Sequence, residues 1–159
     1  MISVSFIFSV FGVTNLSAVL VMIYYAMQIL GYYKLFDKAG ESVWRCFIPI
    51  LNEYTETKIA WSGSVYWKIL ALALGSAVFS YLIGVASGLV QTGCLLAMGL
   101  CFAGGVILNI KRSYRLAQAF GKGKGMALGI LIFPPLFHML LGFGNAQYRN
   151  SKMINGKRL

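Results

Sequence analysis

Four long apolar runs, separated by short polar or charged intervals, organise this chain. They cover residues 4–33, 65–90, 92 or 93–110, and 126–143. At 1.5 Å of rise per residue, a helix needs roughly 20 apolar residues to cross a bilayer, and each run reaches or approaches that length. Thr14, Asn15 and Ser17 interrupt the first run, so its start is expected in the membrane interface or beyond it. Only Gln91 and Thr92 separate the second run from the third, which predicts a tight antiparallel hairpin turning there.

The interval 34–64 holds all four acids of the chain: Asp37, Glu41, Glu53 and Glu56. Within it, residues 43–51 are apolar but too short to span, with Trp44, Phe47, Ile48 and Leu51 at helical spacing. Pro49 has no N–H to donate and should kink or end a helix. Asn52 is then placed to cap a second short helix, with Glu53 and Glu56 near its positive end. Trp44, Tyr54, Trp61, Tyr66 and Trp67 suit the headgroup level, where amphipathic rings settle. The stretch 42–61 therefore reads as a broken helix lying in the interface or dipping into the membrane. Past the third run, Lys111, Arg115, Gln118 and Lys122 share one helix face, as in a basic amphipathic extension at a membrane surface. The glycines at 121, 123 and 125 break it.

Composition removes the soluble alternative. Of 159 residues, 58% are apolar and 11% charged, against about 25% charged in soluble domains. A water-soluble fold of this size cannot hide that much apolar surface, because small domains keep a large share of their surface exposed. The expected architecture is an all-α membrane protein. It is a compact bundle of about four transmembrane helices, with an interfacial or re-entrant broken helix between the first two. Residues 1–148 form a single helical domain and 149–159 a short basic tail. Cys46, Cys94 and Cys101 make neither a disulfide framework nor a C-x-x-C pair. The N-terminus carries no basic residue ahead of its apolar run, so the first segment reads as a retained anchor rather than a signal peptide.

Lys and Arg close to span ends mark the cytoplasmic side. Lys34, Lys38, Arg45, Lys58 and Lys68 flank the first loop, and Lys111, Arg112, Arg115, Lys122 and Lys124 mark the third. The turn between the second and third runs has none. The N-terminus is thus expected outside. Four full spans would then put the tail outside as well, although Arg149, Lys152, Lys157 and Arg158 make it basic. Pro134-Pro135 opens a second reading, in which 126–143 enters and leaves on one side; four full spans are slightly favoured by the length of the stretch.

Two ordered strings resemble a known family. Lys38-Ala39-Gly40, Trp44, Ile48-Pro49-Ile50, Asn52-x-Tyr54 and Lys58-Ile59-Ala60 form the first. Ala117-x-Ala119-Phe120-Gly121-Lys122-Gly123, Ala127-x-Gly129, Phe133-Pro134 and Leu141-Gly142-Phe143-Gly144-x-Ala146-x-Tyr148 form the second. Together they resemble a family of small bacterial multi-pass membrane proteins of unknown function, over most of residues 34–148. The resemblance implies a bacterial cytoplasmic (inner) membrane location and supplies no activity. Members are sometimes labelled signal peptidases, but a Ser–Lys dyad in suitable context is lacking here.

Candidate chemistry is sparse. Ser76, Ser80, Gly84 and Gly88 recur every four residues, as do Gly93, Ala97, Cys101 and Gly105, and small residues at that spacing let membrane helices approach closely. The likeliest partners of these rows are each other. His138 is the single histidine. It reads either as a proton carrier or, more plainly, as a neutral ring bonded to a carbonyl freed by the prolines. With Asn15, Gln28 and Asn109 it makes up the strongly polar intramembrane set, the candidates for ligand binding or transport. The acids read as partners of nearby lysines and as helix caps, and Ser64 with Lys68 is a weak nucleophile pair. No catalytic residue, metal site or cofactor is assigned. Lys111, Arg112, Arg115, Lys122 and Lys124 are expected against anionic lipid headgroups, at about 1 kcal/mol each. Nucleic acid is not an expected partner, because no recognition fold accompanies the charge. The first functional expectation is a non-enzymatic scaffold or assembly component that self-associates or joins another membrane protein. A small transporter or channel is the alternative, and a membrane-embedded enzyme comes third.

Overall fold

The computed structural model describes residues 15–149, with side chains from Ser17 onward, and every regular element among them is helical. The helices are α1 (Asn15–Ala39), a short 3-10 helix (Val43–Phe47), α2 (Pro49–Ala60), α3 (Gly63–Val85), α4 (Gly88–Ala119), α5 (Lys124–Ile132) and α6 (Pro134–Phe143). Three of them are long and apolar enough to cross a membrane: Ser17–Ala39 within α1, then α3 and α4. The expected start of the first run near residue 4 lies outside the described residues.

Local sequence explains the breaks. Gly40 and Gly121, both at positive φ, close α1 and α4 in the same way. Glu41 N–H returns to Phe36 O at 2.9 Å, and Lys122 N–H to Ala117 O at 2.8 Å, the pairing that satisfies orphan carbonyls at a helix end. Pro49 opens α2 and Pro134 opens α6, each in the first turn, where a missing N–H costs nothing. The α3–α4 turn falls at Ala86–Ser87, not at Gln91-Thr92. Gln91 instead lies in the first turn of α4, and its Nε2 donates to Ile83 O of α3 at 3.3 Å, so a residue that reads as loop serves as a cap. Asn52, Glu53 and Glu56 lie inside α2, whose first residue is Pro49, so Asn52 is not the cap.

The fourth apolar run is not one long helix. Phe133 interrupts it, and the chain folds back so sharply that a Cβ on Gly129 of α5 would collide with the Phe137 ring of α6. Its two ends meet: Arg149 N–H donates to Ala119 O at 2.6 Å, and the Phe120 and Tyr148 rings lie 5.4 Å apart. Lys38 at the end of α1 donates to Leu141, Gly144 and Ala146 carbonyls at 2.9, 2.6 and 3.0 Å. The bend at Phe133 sits beside Tyr24, with ring centroids 6.3 Å apart. Fourteen residues of helix separate Tyr24 from Lys38, so this arm dips about 20 Å and returns. Four full spans give way to three long helices plus this arm. The 3-10 helix and α2 make a second, shorter arm, whose start and end are joined by Lys58 and Glu41 at 2.6 Å.

All these junctions gather at one pole. The α3–α4 turn occupies the other, and no charged residue lies between residues 69 and 110. Burial follows the same axis. Tyr32, Leu35, Phe36, Leu116, Ala117, Phe120 and Leu141 are fully buried near the charged pole, whereas the apolar windows of α3 and α4 are 0% and 6% buried. The last turns of α4 are therefore core rather than a surface-lying extension, since Ser113, Leu116, Ala117 and Ala119 are all covered.

The glycines of the small-residue rows make no close approach. A Cβ on Gly84, Gly88, Gly93 or Gly105 would meet nothing within 4 Å, and Ser76 bonds its own helix at Ala73 O. The α3–α4 contact runs past Gly75, facing Cys101 of the second row, and Gly104, facing Leu72, while Ser76 and Gly105 line a groove beside them. A close backbone crossing lies elsewhere, between α1 and α6. A Cβ on Gly31 would stand 2.9 Å from His138 Cβ and 3.0 Å from Met139 N, and one on Gly142 2.8 Å from Lys34 Cβ.

Candidate functional site: a buried ionic cluster beneath the charged pole

Where α1, α2, α4 and α6 converge, about 10 Å below the charged pole by helix rise, four polar side chains leave solvent together. Glu56 of α2 is 1% exposed, His138 of α6 1% and Tyr32 of α1 1%. The Arg112 side chain of α4 is 14% exposed. Tyr32 Oη donates to Glu56 Oε2 at 2.8 Å. His138 Nε2 lies 3.5 Å from Glu56 Oε1, long for a hydrogen bond, and Arg112 Nε lies 4.0 Å from the same oxygen. Arg112 Nη1 is engaged elsewhere, with Glu53 Oε2 at 2.5 Å and Thr57 Oγ1 at 3.5 Å. The Tyr32 ring covers the imidazole, with centroids 4.8 Å apart.

Each group arrives by a local cause. The Phe133–Pro134 break starts α6 deep in the protein, and His138 follows one helical turn later. The proline at 49 likewise starts α2 below the pole, so Glu53, Glu56 and Thr57 return along it facing α4. Gly31 lets α6 come near enough to α1 for His138 to lie beneath Tyr32. Burial pushes the Glu56 carboxyl up, but the Arg112 guanidinium, followed by His138 and the Tyr32 hydroxyl, more than offsets it, and the group ends below the ordinary carboxylate range at about 2.

A pocket of about 220 Å³ opens beside the cluster, lined by Gln28, Asn109, Glu56, Arg112 and His138 among others. Its rim includes half-exposed Tyr24, Leu131 and Glu53. Three of the four intramembrane polar candidates, Gln28, Asn109 and His138, thus come together; Asn15 opens α1, but its side chain lies outside the described residues. His138 accepts no bond from, and donates none to, a described group, so the expected bond to a proline-freed carbonyl is absent. Its neighbour is an acid from the broken helix. The sequence carries no signal that pairs them, since Glu56 lies in the charged interval 34–64 and His138 in the fourth apolar run.

Arg112 is not placed for lipid headgroups, since its guanidinium faces Glu53 and Glu56. Arg115 is also drawn inward, stacked 4.2 Å over the Trp61 ring. Lys111, Lys122 and Lys124 remain exposed. Glu41 pairs with Arg45 and Lys58, as expected of a loop acid, while Glu53 and Glu56 reach across to α4. Ser64 bonds Ser62, Lys68 is exposed, and neither lines the pocket, so they join no shared site with the acids.

Fold and site define the class: an all-helical protein with three helices fit to cross a membrane and, between two broken arms, a buried ionic cluster beside a pocket. Within that class the chain belongs to the DUF5684 family, a family of unknown function, whose model matches residues 44–151 and so takes in both broken arms. Comparison with curated proteins and with solved structures gave no match.

Proposed function

We propose that this is a small carrier or channel of the bacterial cytoplasmic membrane that binds a small polar solute in the pocket between its broken arms, with the charged pole facing the cytoplasm. One observation carries the reading: Glu56 and His138 are almost wholly buried at the pocket wall, and Glu56 Oε1 and both His138 nitrogens have no hydrogen-bond partner among the described groups. Buried polar atoms are nearly always paired, and exceptions call for an explanation such as a ligand. Helices broken inside a membrane domain are the usual frame of such sites, because irregular backbone is tolerated only where protein or a cavity shields it.

Proteoliposomes loaded with panels of ions and small metabolites test it. Flux is expected that falls at least tenfold in Glu56→Gln, His138→Ala and Asn109→Ala. Absence of flux across the panel, or flux untouched by all three substitutions, overturns the proposal.

A scaffold reading keeps one specific support. The faces carrying Gly84, Gly88, Gly93 and Gly105 are unfilled by this chain and would admit the close approach of another membrane helix. Crosslinking in native membranes that recovers only monomer removes it.

A further inference from the structure

Resting on the solute-site reading above, we infer that the occupant of the pocket is a small organic cation carrying several hydrogen-bond donors, of the alkylammonium or guanidinium type. The atoms left unpaired define what can bind. Glu56 Oε1 and Gln28 Oε1 are acceptors without donors, and His138 in its neutral form presents one acceptor and one donor nitrogen. Arg112 Nε is the remaining donor. Acceptors outnumber donors, so a donor-rich group satisfies the wall best.

Charge agrees. Glu53 and Glu56 oppose the single guanidinium of Arg112, so the wall carries no net positive charge whether His138 is neutral or protonated. An anion is poorly served here. The Arg112 Nη1 edge is already held by Glu53 and Thr57, and an anion reaching Nε would meet the Glu56 carboxylate at the same point. The Tyr24 ring also lines the space, and aromatic faces attract cations. Size sets the last limit. About 220 Å³ corresponds to roughly seven waters at about 30 Å³ each, so the part of the occupant held inside the rim is a group of a few heavy atoms.

Full-length protein in nanodiscs tests the inference through its intrinsic tryptophan fluorescence during thermal unfolding. The probes are methylammonium, guanidinium at millimolar concentration, potassium, urea, acetate and phosphate, at matched ionic strength. Methylammonium or guanidinium should raise the midpoint saturably, with an apparent affinity at least tenfold weaker in Glu56→Gln and several-fold weaker in Gln28→Leu. Potassium matching methylammonium would show that charge alone is read, and acetate or phosphate binding more tightly would reverse the sign; either overturns the inference. Urea binding equally to wild type and Glu56→Gln, without a cation preference, would leave the solute site standing and sink the cation. No saturable response to any probe would remove both. Should Glu56→Gln fail to fold, an unchanged methylammonium affinity in Gln28→Leu overturns the inference alone.

Discussion

Arg112 contacts two acids, and the shorter contact should be the less important. Its bond to Glu53 is 2.5 Å, but the Glu53 side chain is 46% exposed, and exposed pairs contribute about 0–1 kcal/mol. Its approach to Glu56 is 4.0 Å, yet that carboxylate is 1% exposed. At an effective dielectric near 20, two unit charges 4 Å apart attract by about 4 kcal/mol. Arg112→Met should therefore destabilise the fold by about 3–5 kcal/mol, because it leaves a buried carboxylate uncompensated. Glu56→Gln keeps the acceptor for Tyr32 and removes the charge, and should cost about 1–2 kcal/mol. The double variant buries neither charge, so it should lose clearly less than the sum of the two, by about 2–3 kcal/mol. Glu53→Gln should cost under about 1 kcal/mol. Unfolding in mixed micelles with increasing SDS, followed by helical circular dichroism, gives all four values. If the two single losses add within about 0.5 kcal/mol, Arg112 and Glu56 are not coupled and the cluster is not an electrostatic unit.

The Glu56 carboxyl is depressed in the folded state, so its contribution is present above its unfolded value of about 4.3 and is lost as pH falls through about 2. The unfolding midpoint should drop across that window in wild type, and less in Glu56→Gln. Gly31→Val forces a side chain against His138 and the Met139 backbone and should cost about 1–3 kcal/mol, while Gly93→Ala and Gly105→Ala, with open space, should be neutral or stabilising by up to about 1 kcal/mol. Thermal unfolding separates the two kinds of glycine. Cys46 is 1% exposed and burial pushes its thiol up, so maleimide should label Cys94 and Cys101 at least tenfold faster in detergent. Because 124–143 returns to the pole it left, cysteines introduced in turn at Gly123 and Asn145 should be labelled by an impermeant reagent from the same side of the membrane; opposite sides would restore a full fourth span.

The long helices were legible because their signal is additive: some 20 apolar residues in succession have few other destinations. The break at Pro49 was legible too, since a missing N–H acts locally. The turn was misplaced because Gln91 and Thr92 are polar, and polarity alone does not distinguish a loop residue from one that caps the preceding helix through its side chain. The glycine rows misled for a related reason. A four-residue repeat marks a face that can pack, whereas the close crossing at Gly31 and Gly142 depends on two positions more than a hundred residues apart, joined only by the fold. The site lay half open to reading. Gln28, Asn109 and His138 stood out as polar residues in apolar runs, but Glu56 and Arg112 sat in segments charged enough to pass for loop and surface.

The two broken arms and the charge distribution have a common physical origin. A chain with four acids and fourteen basic residues cannot thread them through hydrocarbon, so the charged segments stay at one pole. With both arms returning to that pole, Arg149 no longer conflicts with the basic third loop, since both lie at the same end. The arms also shape the interior. Helices of nine to twelve residues are too short to span, but α2 and α6 bring Glu56 and His138 in between Tyr32 of α1 and Arg112 of α4. The pocket there is lined by what the arms carry inward, and they carry an acid and an imidazole. A bundle of continuous spans could satisfy the same apolar pattern without burying either group. The deep start of each arm at a proline is therefore the feature that turns an apolar bundle into one with a polar interior.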